Sequence, residues 1–387
     1  MERRPIIIVG SGPAGAGAAL HLYRQEAKLA SEVLVIEKAR HPRPKVCAGG
    51  LIPDAVKTLR ELGVEFAVPH VTIHRALVTT PRRRVFHEDQ NLCYVIRRDE
   101  FDASLVAACK ARGIAVREGE AVTELKRVGD GIVVRTTAGE YHARVLVGAD
   151  GSGSIVRRRL VDPGRDRMAR AIMCDVPVEQ TGWPGFAEAR YDFDFRDVAQ
   201  GLPGYRWAFP CLIDGKPHVN IGAYALTPVG TRLDRSFEEY RASLTAEKPR
   251  VQAFPIHWYG PNTRCAGAHV LLAGDAAGVD PLMGEGISLA LEYGGFVAEA
   301  ARQALATGDF SGTAYQRAID SSWLGKKLRR LHLATRLFYG PTWRLWFALP
   351  EHSARIRALG LRWYNGIDGW DRRSGWEALR ALAWNQL

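Results

Sequence analysis

Ile6-Ile7-Ile8-Val9 is an apolar, mostly β-branched run without polar alternation, the pattern of a strand covered on both faces. Directly after it the apolar spacing changes: Ala14, Ala18, Ala19, Leu20 and Leu22 predict a tightly packed helix. Val33–Ile36, Arg144–Gly148 and His269–Ala273 predict further buried strands of the same kind. Helices are expected over Asp54–Leu62, Phe101–Arg112 and Gly286–Ala306, the first two stopped by Gly63 and Gly113. His70–Thr80, Arg84–Glu88 and Leu92–Arg97 alternate and suit an antiparallel sheet inserted into the first layer. Ala115–Glu118, Ala121–Val128, Ile132–Thr136 and Tyr141–Val145 follow, with Gly129-Asp130-Gly131 as a hairpin-like turn. From about Arg170 to Trp258 the pattern is strand after strand, an antiparallel sheet with one covered face. A parallel layer therefore opens at the N-terminus and is completed only at His269–Ala273.

The first strand becomes a helix at Gly10-Ser11-Gly12-Pro13-Ala14-Gly15. Gly10 permits the tight turn, Gly12 lets the backbone approach phosphates, and Gly15 lets helix and strand pack closely, with unpaired helix-start N–H groups facing an anion. The second strand ends in Glu37, 22 residues past Gly15, where a carboxylate can accept hydrogen bonds from a ribose diol. Strand, turn, helix, strand and acid in this order predict a dinucleotide site.

Composition changes the picture at one end only. The 387 residues, 47% hydrophobic and 25% charged, suit an ordinary globular chain of two to three packed units. The apolar start reads as a strand rather than a secretory leader, and no apolar run is long enough to span a membrane. Cys47, Cys93, Cys109, Cys174, Cys211 and Cys265 form no C-x-x-C pair, which argues against zinc and disulfides and fits a reducing cytoplasm; no metal site is expected. Of the net charge of +11, the segment from Trp323 to Leu387 carries twelve Lys/Arg and four Asp/Glu, 12 − 4 = +8, and seven of the ten tryptophans. Three regions follow: a discontinuous nucleotide domain (1–165 and 265–322), a substrate domain (166–264) and a basic, Trp-rich helical region (323–387).

Three stretches turn the dinucleotide site into a flavin site. Arg98-Asp99-Glu100-Phe101-Asp102 puts a guanidinium at a helix entrance, where it can reach ribityl or phosphate oxygens or remain a surface charge. Asp150, at a strand end, can meet the ligand or cap the helix starting near Ser152. Gly274-Asp275-Ala276-Ala277-Gly278…Pro281-Leu282-Met283-Gly284-Glu285-Gly286 offers Asp275 to a polyol hydroxyl and a glycine-framed helix start to the electron-rich edge of a flavin ring. Together with Gly10–Gly15 and Glu37, over roughly residues 1 to 310, these stretches resemble the FAD-dependent hydroxylase superfamily. Within it, Lys45-x-Cys47-Ala48-Gly49-Gly50 and Tyr205-Arg206-Trp207-Ala208-Phe209-Pro210 look like the geranylgeranyl reductase family, with Ala48 where a glycine is common. The WxWxIP signature of flavin halogenases is absent.

The resemblance implies a Rossmann-like α/β FAD-binding domain of the aromatic hydroxylase type, an inserted antiparallel substrate sheet and a helical C-terminal region. It implies reduction of C=C bonds in prenyl chains by reduced FAD. Cys47, Gly49 and Gly50 would lie at the reacting centre. Gly10, Gly12, Pro13, Ala14, Gly15, Glu37, Lys38, Lys45, Ala48, Arg98, Val122, Asp150, Asp275, Pro281, Gly284, Gly286 and Ile287 would hold the cofactor, and Tyr205, Trp207, Phe209 and Pro210 would line the substrate pocket. Cys47 reads equally as an inert small hydrophobe, and Trp207 as a core residue. With no second GxGxxG, NADPH or a reduced carrier protein would bind transiently as electron donor. The expected substrate is an apolar small molecule or lipid. A monooxygenase and a non-catalytic flavin protein are the rival readings.

In the tail, Leu324, Leu328, Leu331 and Phe338 form a stripe opposite Lys326, Lys327, Arg329 and Arg330, and Ser374-x-x-Glu377 is a capping box for a last helix. Such helices suit a membrane interface, peripheral to the bilayer, or simply cover the substrate domain. No nucleic-acid-binding motif is present.

Overall fold

The computed structural model describes residues 1–162 and 167–367. In chain order its elements are β1 (Glu2–Val9), α1 (Pro13–Gln25), β2 (Val33–Glu37), β3 (Gly50–Leu51), α2 (Pro53–Glu61), β4 (His70–Thr79), β5 (Arg84–Ile96) and α3 (Arg98–Ala111). Next come β6 (Ala115–Glu118), β7 (Val122–Val128), β8 (Gly131–Thr136), β9 (Glu140–Gly148), β10 (Met168–Pro177), α4 (Pro184–Ala187), β11 (Arg190–Asp194), β12 (Gly204–Ile213), β13 (Lys216–Leu226), α5 (Arg232–Leu244) and β14 (Gln252–His257). The remainder is β15 (Ala266–Gly267), β16 (Val270–Leu272), α6 (Ile287–Thr307), α7 (Thr313–Ser321), α8 (Trp323–Phe338), α9 (Trp343–His352) and α10 (Ala354–Tyr364).

Two sheets organise the molecule. In the first, the order β15-β16-β9-β1-β2-β6 puts β1 at the centre, parallel to β2 and β9, with the β7–β8 hairpin joined to β9. Ile6, Ile7 and Ile8 are fully buried in a core that also holds α1, α6 and β8, and α6 approaches α1 so closely that a Cβ on Gly294 would lie 2.7 Å from the Ala18 nitrogen. This is the parallel layer expected from the uninterrupted apolar runs.

The second sheet runs β14-β10-β13-β12-β11-β4-β5-β3 and is antiparallel except for β11 against β4. Residues 70–96, which chain order assigns to the nucleotide unit, hydrogen-bond here instead, so this sheet draws on two separated stretches of sequence. The two strands expected over 84–88 and 92–97 are one, bent where the register against β4 shifts between Ile73 and Arg75 and where Asn91 takes φ +53°. Between Arg170 and Trp258 the chain is not all strand. Leu233, Phe237 and Tyr240, at helical spacing, bury the inner face of α5 against one side of the sheet.

On the other side Phe338 and Tyr339 at the end of α8 and Trp343 and Phe347 of α9 pack against the aromatic face, with α10 alongside β5, while Leu324 and Leu328 of α8 pack into the first sheet's core. Leu324, Leu328 and Leu331 are buried as the stripe on α8 implies, but so is Lys327, expected on the polar face; its ammonium lies 3.7 Å from Asp54. The capping box at Ser374 and the tryptophans at 370, 376 and 384 lie outside the described residues. Among the described residues, no helix is long and apolar enough to cross a membrane.

Candidate functional site

A cavity of about 1210 Å³ lies between the two sheets and under α9 and α10. At one end is the β1–α1 turn. Gly10 has φ +96°, and a side chain there would meet the Ala149 carbonyl at 2.4 Å; a Cβ on Gly15 would lie 1.9 Å from the Gly10 carbonyl. Gly12 differs: a Cβ there would meet nothing nearer than the Arg43 guanidinium at 3.6 Å, so the space above it belongs to the cavity. Gly12 precedes α1 without a side-chain cap, which leaves the first-turn N–H groups of the helix without helical partners.

Glu37 is buried in the cavity wall and held by the backbone. One carboxylate oxygen accepts from the Ser11 N–H (2.9 Å) and hydroxyl (3.0 Å), the other from the Ala39 N–H (3.0 Å). Arg98 lines the same cavity, yet its fork is engaged by Asp102 at 2.9 and 3.0 Å, one turn along α3, rather than free as a surface charge. Arg43, absent from the expected set, shares that wholly buried carboxylate at 3.2 Å and lies 3.8 Å from Glu37. The i,i+4 spacing of Arg98 and Asp102 carried the signal for the pair; nothing in the proline-flanked loop marked Arg43.

Asp150 does both things its position allows. It lines the cavity, and it caps the following turn by accepting from the Ser154 hydroxyl (2.5 Å) and the N–H groups of Ile155 (2.7 Å) and Val156 (3.3 Å). Burial raises its pKa against those hydrogen bonds. Asp275, also in the wall, accepts from the Ser152 hydroxyl at 2.8 Å.

The 280–286 turn is fastened residue by residue by tyrosines from the second sheet and the tail. Tyr364 donates to the Asp280 carboxylate (2.9 Å), Tyr224 to the Pro281 carbonyl (2.9 Å), Tyr339 to the Leu282 carbonyl (2.6 Å) and Tyr205 to the Met283 carbonyl (2.6 Å). Pro281, expected at the cofactor, thus turns its carbonyl to Tyr224 and stays out of the wall, whereas Met283, Gly284, Glu285, Gly286 and Ile287 line it. Asp280 is fully buried, and burial pushes its pKa up to about 6 despite the Tyr364 hydroxyl and two backbone N–H donors.

Lys38, Lys45, Cys47, Ala48, Gly50 and Val122 also reach the cavity. The Lys45 ammonium sits 3.2 Å above the Phe254 ring, and burial, partly offset by Asp275, brings its pKa down to about 8. Half-buried Cys47 accepts from the Gly49 N–H at 3.4 Å. Gly49 turns away from the cavity: its φ is +81°, a Cβ would lie 2.0 Å from the Ile96 carbonyl, and its own carbonyl accepts from the Ile96 N–H. Its glycine is required by contact with β5 and not by chemistry in the cavity.

The floor is aromatic. Tyr205, Trp207 and Phe209 alternate onto the cavity face of β12, beside Tyr191, Phe193 and Phe195 of the β11 region. The Trp207 indole donates to Asn220 at 2.7 Å and occupies the space opposite Gly222, where a Cβ would come within 2.1 Å of the ring. Pro210 falls on the other face, opposite Val219, and does not line the pocket. The roof consists of Trp346, Phe347 and Leu349 of α9 and Ile356, Leu359 and Trp363 of α10, residues not named among the expected substrate contacts although one reading of the tail makes it a cover of the substrate domain.

Residues 3–294 match the family described as FAD binding domain. This chain is a member of that FAD-binding family. A menaquinone reductase of Mycobacterium tuberculosis is 30% identical over 76% of this chain and 75% of its own length. A digeranylgeranylglycerophospholipid reductase of Methanosphaera stadtmanae is 28% identical over 80% and 81%. Among solved structures, a geranylgeranyl bacteriochlorophyll reductase-like protein of Thermoplasma acidophilum superposes with a TM-score of 0.70 at 20% identity, covering 88% and 87%. The chain is thus an FAD-dependent oxidoreductase, as its motifs implied.

The residues present fit FAD. The open cradle above Gly12, the uncapped start of α1 and the backbone-held Glu37 suit a pyrophosphate and a ribose, while Asp275 and the 284–286 backbone suit a polyol and a ring edge.

Proposed function

We propose that this FAD-dependent oxidoreductase saturates C=C bonds in a prenyl chain. The observation that carries this reading is the continuity of the cavity: the cofactor cradle opens directly onto a corridor floored by aromatic rings and roofed by apolar helices. Reduced FAD, when bound, supplies a hydride. An isolated alkene offers no carbonyl to polarise, so the protein's contribution is alignment along the corridor and exclusion of water. The other hydrogen arrives as a proton, for which Lys45 and Cys47 of the adjacent loop, beside Ala48 and Gly50 in the wall, are the candidates. NADPH or a reduced carrier protein is the donor in this reading, binding transiently. The names of the menaquinone and phospholipid reductases support a substrate with an isoprenoid chain.

The test is turnover without oxygen. FAD-loaded protein with a chemical reductant and a geranylgeranyl lipid should give products richer by pairs of hydrogen atoms in the mass spectrum. Products richer by oxygen, formed only in air, would establish the monooxygenase instead.

A further inference from the structure

The corridor has a direction. At one end β4 begins at His70, paired with Ile96, next to Arg97 and Arg98. At the other, β4 and β5 meet at Thr79 and Arg84, about 30 Å away at about 3.3 Å per residue. Helix α10 runs back along β5 between these ends. Asn365 donates to the Leu92 carbonyl (3.0 Å), Arg362 pairs with Asp89 (3.3 Å), and Tyr364 reaches the cofactor turn at Asp280. Arg357 lies towards the hairpin tip and lines the cavity.

Arg357 is unlike the other cavity arginines. Arg43 and Arg98 share Asp102, whereas among the described residues no carboxylate pairs with Arg357. One of its nitrogens donates to the Pro350 carbonyl at 2.5 Å, and its Nε is buried without a partner. Its neighbourhood is short of free negative charge. Glu351, the acid nearest in sequence, is taken by the Thr80 hydroxyl and by Arg82 at 3.3 Å, and the adjoining turn is Arg82-Arg83-Arg84, with Arg83 on His352 at 3.1 Å. The side chain as a whole is half-buried, but its Nε is closed off from water without an acceptor, and a guanidinium lining a cavity matches an oxyanion.

We infer that Arg357 is a binding residue for the anionic head of the substrate, a phosphate at the end of the prenyl chain, held at the far end of the corridor while the chain extends towards the cofactor. This rests on the prenyl reading and sharpens it, since that reading alone admits neutral and anionic chains equally.

Affinity, not turnover, decides it. Quenching of tryptophan fluorescence is followed on the full-length, FAD-loaded, oxidised protein with geranylgeranyl phosphate, geranylgeraniol and inorganic phosphate as separate probes; Trp207, Trp346 and Trp363 line the cavity. The native chain should bind the prenyl phosphate at least tenfold more tightly than the alcohol. Arg357→Gln should bring the two affinities together, Arg357→Lys should keep part of the preference, and unchanged FAD content should show that both variants fold. Equal affinities in the native chain, or a preference that survives Arg357→Gln, would overturn the assignment while leaving the prenyl reading in place. Competition by inorganic phosphate at the concentration that saturates the prenyl phosphate would assign the arginine to a free anion and overturn the headgroup role. Binding of neither prenyl probe would overturn the prenyl reading, and this inference with it.

Discussion

The two sheets meet the same cavity in opposite ways. The first presents main chain: glycines without room for a Cβ, an uncapped helix start, and carboxylates fixed by N–H groups. The second presents side chains, a face of aromatic rings in which the Trp207 indole is tied to Asn220 and the Tyr205 hydroxyl to the Met283 carbonyl. One wall is set by where backbone atoms must be, the other by what fills space. A damaged backbone wall should therefore lose the cofactor outright, whereas a damaged aromatic wall should lose stability and substrate and retain the cofactor.

Gly15→Ala should break the first wall most severely. Its methyl would stand 1.9 Å from the Gly10 carbonyl, a contact that only backbone movement relieves. The expected cost is more than about 4 kcal/mol, with purified protein colourless or insoluble. Yellow, soluble protein of native melting temperature would contradict the account of that turn. Trp207→Ala attacks the other wall and should cost about 3–5 kcal/mol through the space it vacates. The folded fraction should keep a full complement of FAD, and loss of FAD in step with stability would erase the distinction between the walls.

Asp280 joins the two sides, and its titration gives the next effect. Because burial raises its pKa from 3.8 to about 6, the fold favours the neutral acid. That contribution is complete below about pH 4 and is lost as the pH rises through about 6, a span of about 3 kcal/mol. Native protein should therefore lose stability relative to Asp280→Asn between those pH values, measured by denaturant unfolding; a constant difference would show that Asp280 titrates normally. Smallest is the effect of Tyr339→Phe or Tyr364→Phe, each about 1 kcal/mol for one hydrogen bond. Both should weaken FAD binding several-fold although they lie on tail helices, and unchanged affinity would separate the tail from the cofactor turn.

The same contrast explains what the sequence made visible. Gly10, Gly12, Gly15 and Glu37 stand at fixed spacing because one local unit, strand-turn-helix-strand, dictates them, and such spacing is readable without any tertiary knowledge. Gly49 was legible as a special residue but not for its reason, since only the pairing of β3 with β5 shows that it avoids the Ile96 carbonyl. The aromatic alternation of Tyr205, Trp207 and Phe209 was visible, whereas the membership of residues 70–96 in the same sheet was not, because strand pairing between distant stretches leaves no local trace. Pro210 was carried along by its motif although period-two alternation puts it on the other face. Lys327 shows a converse limit: a charged residue in a basic run reads as solvated, and only packing reveals it buried beside Asp54.

Everything proposed here requires cofactor cradle and aromatic corridor to be one reaction space. The decisive experiment mixes the reduced, FAD-loaded protein with a geranylgeranyl lipid in the absence of oxygen and follows the visible absorbance of the flavin. The oxidised spectrum should return with the lipid alone, in proportion to the double bonds saturated. A flavin that stays reduced until oxygen is admitted, with the lipid unchanged, would separate the cradle from the corridor and end the reading.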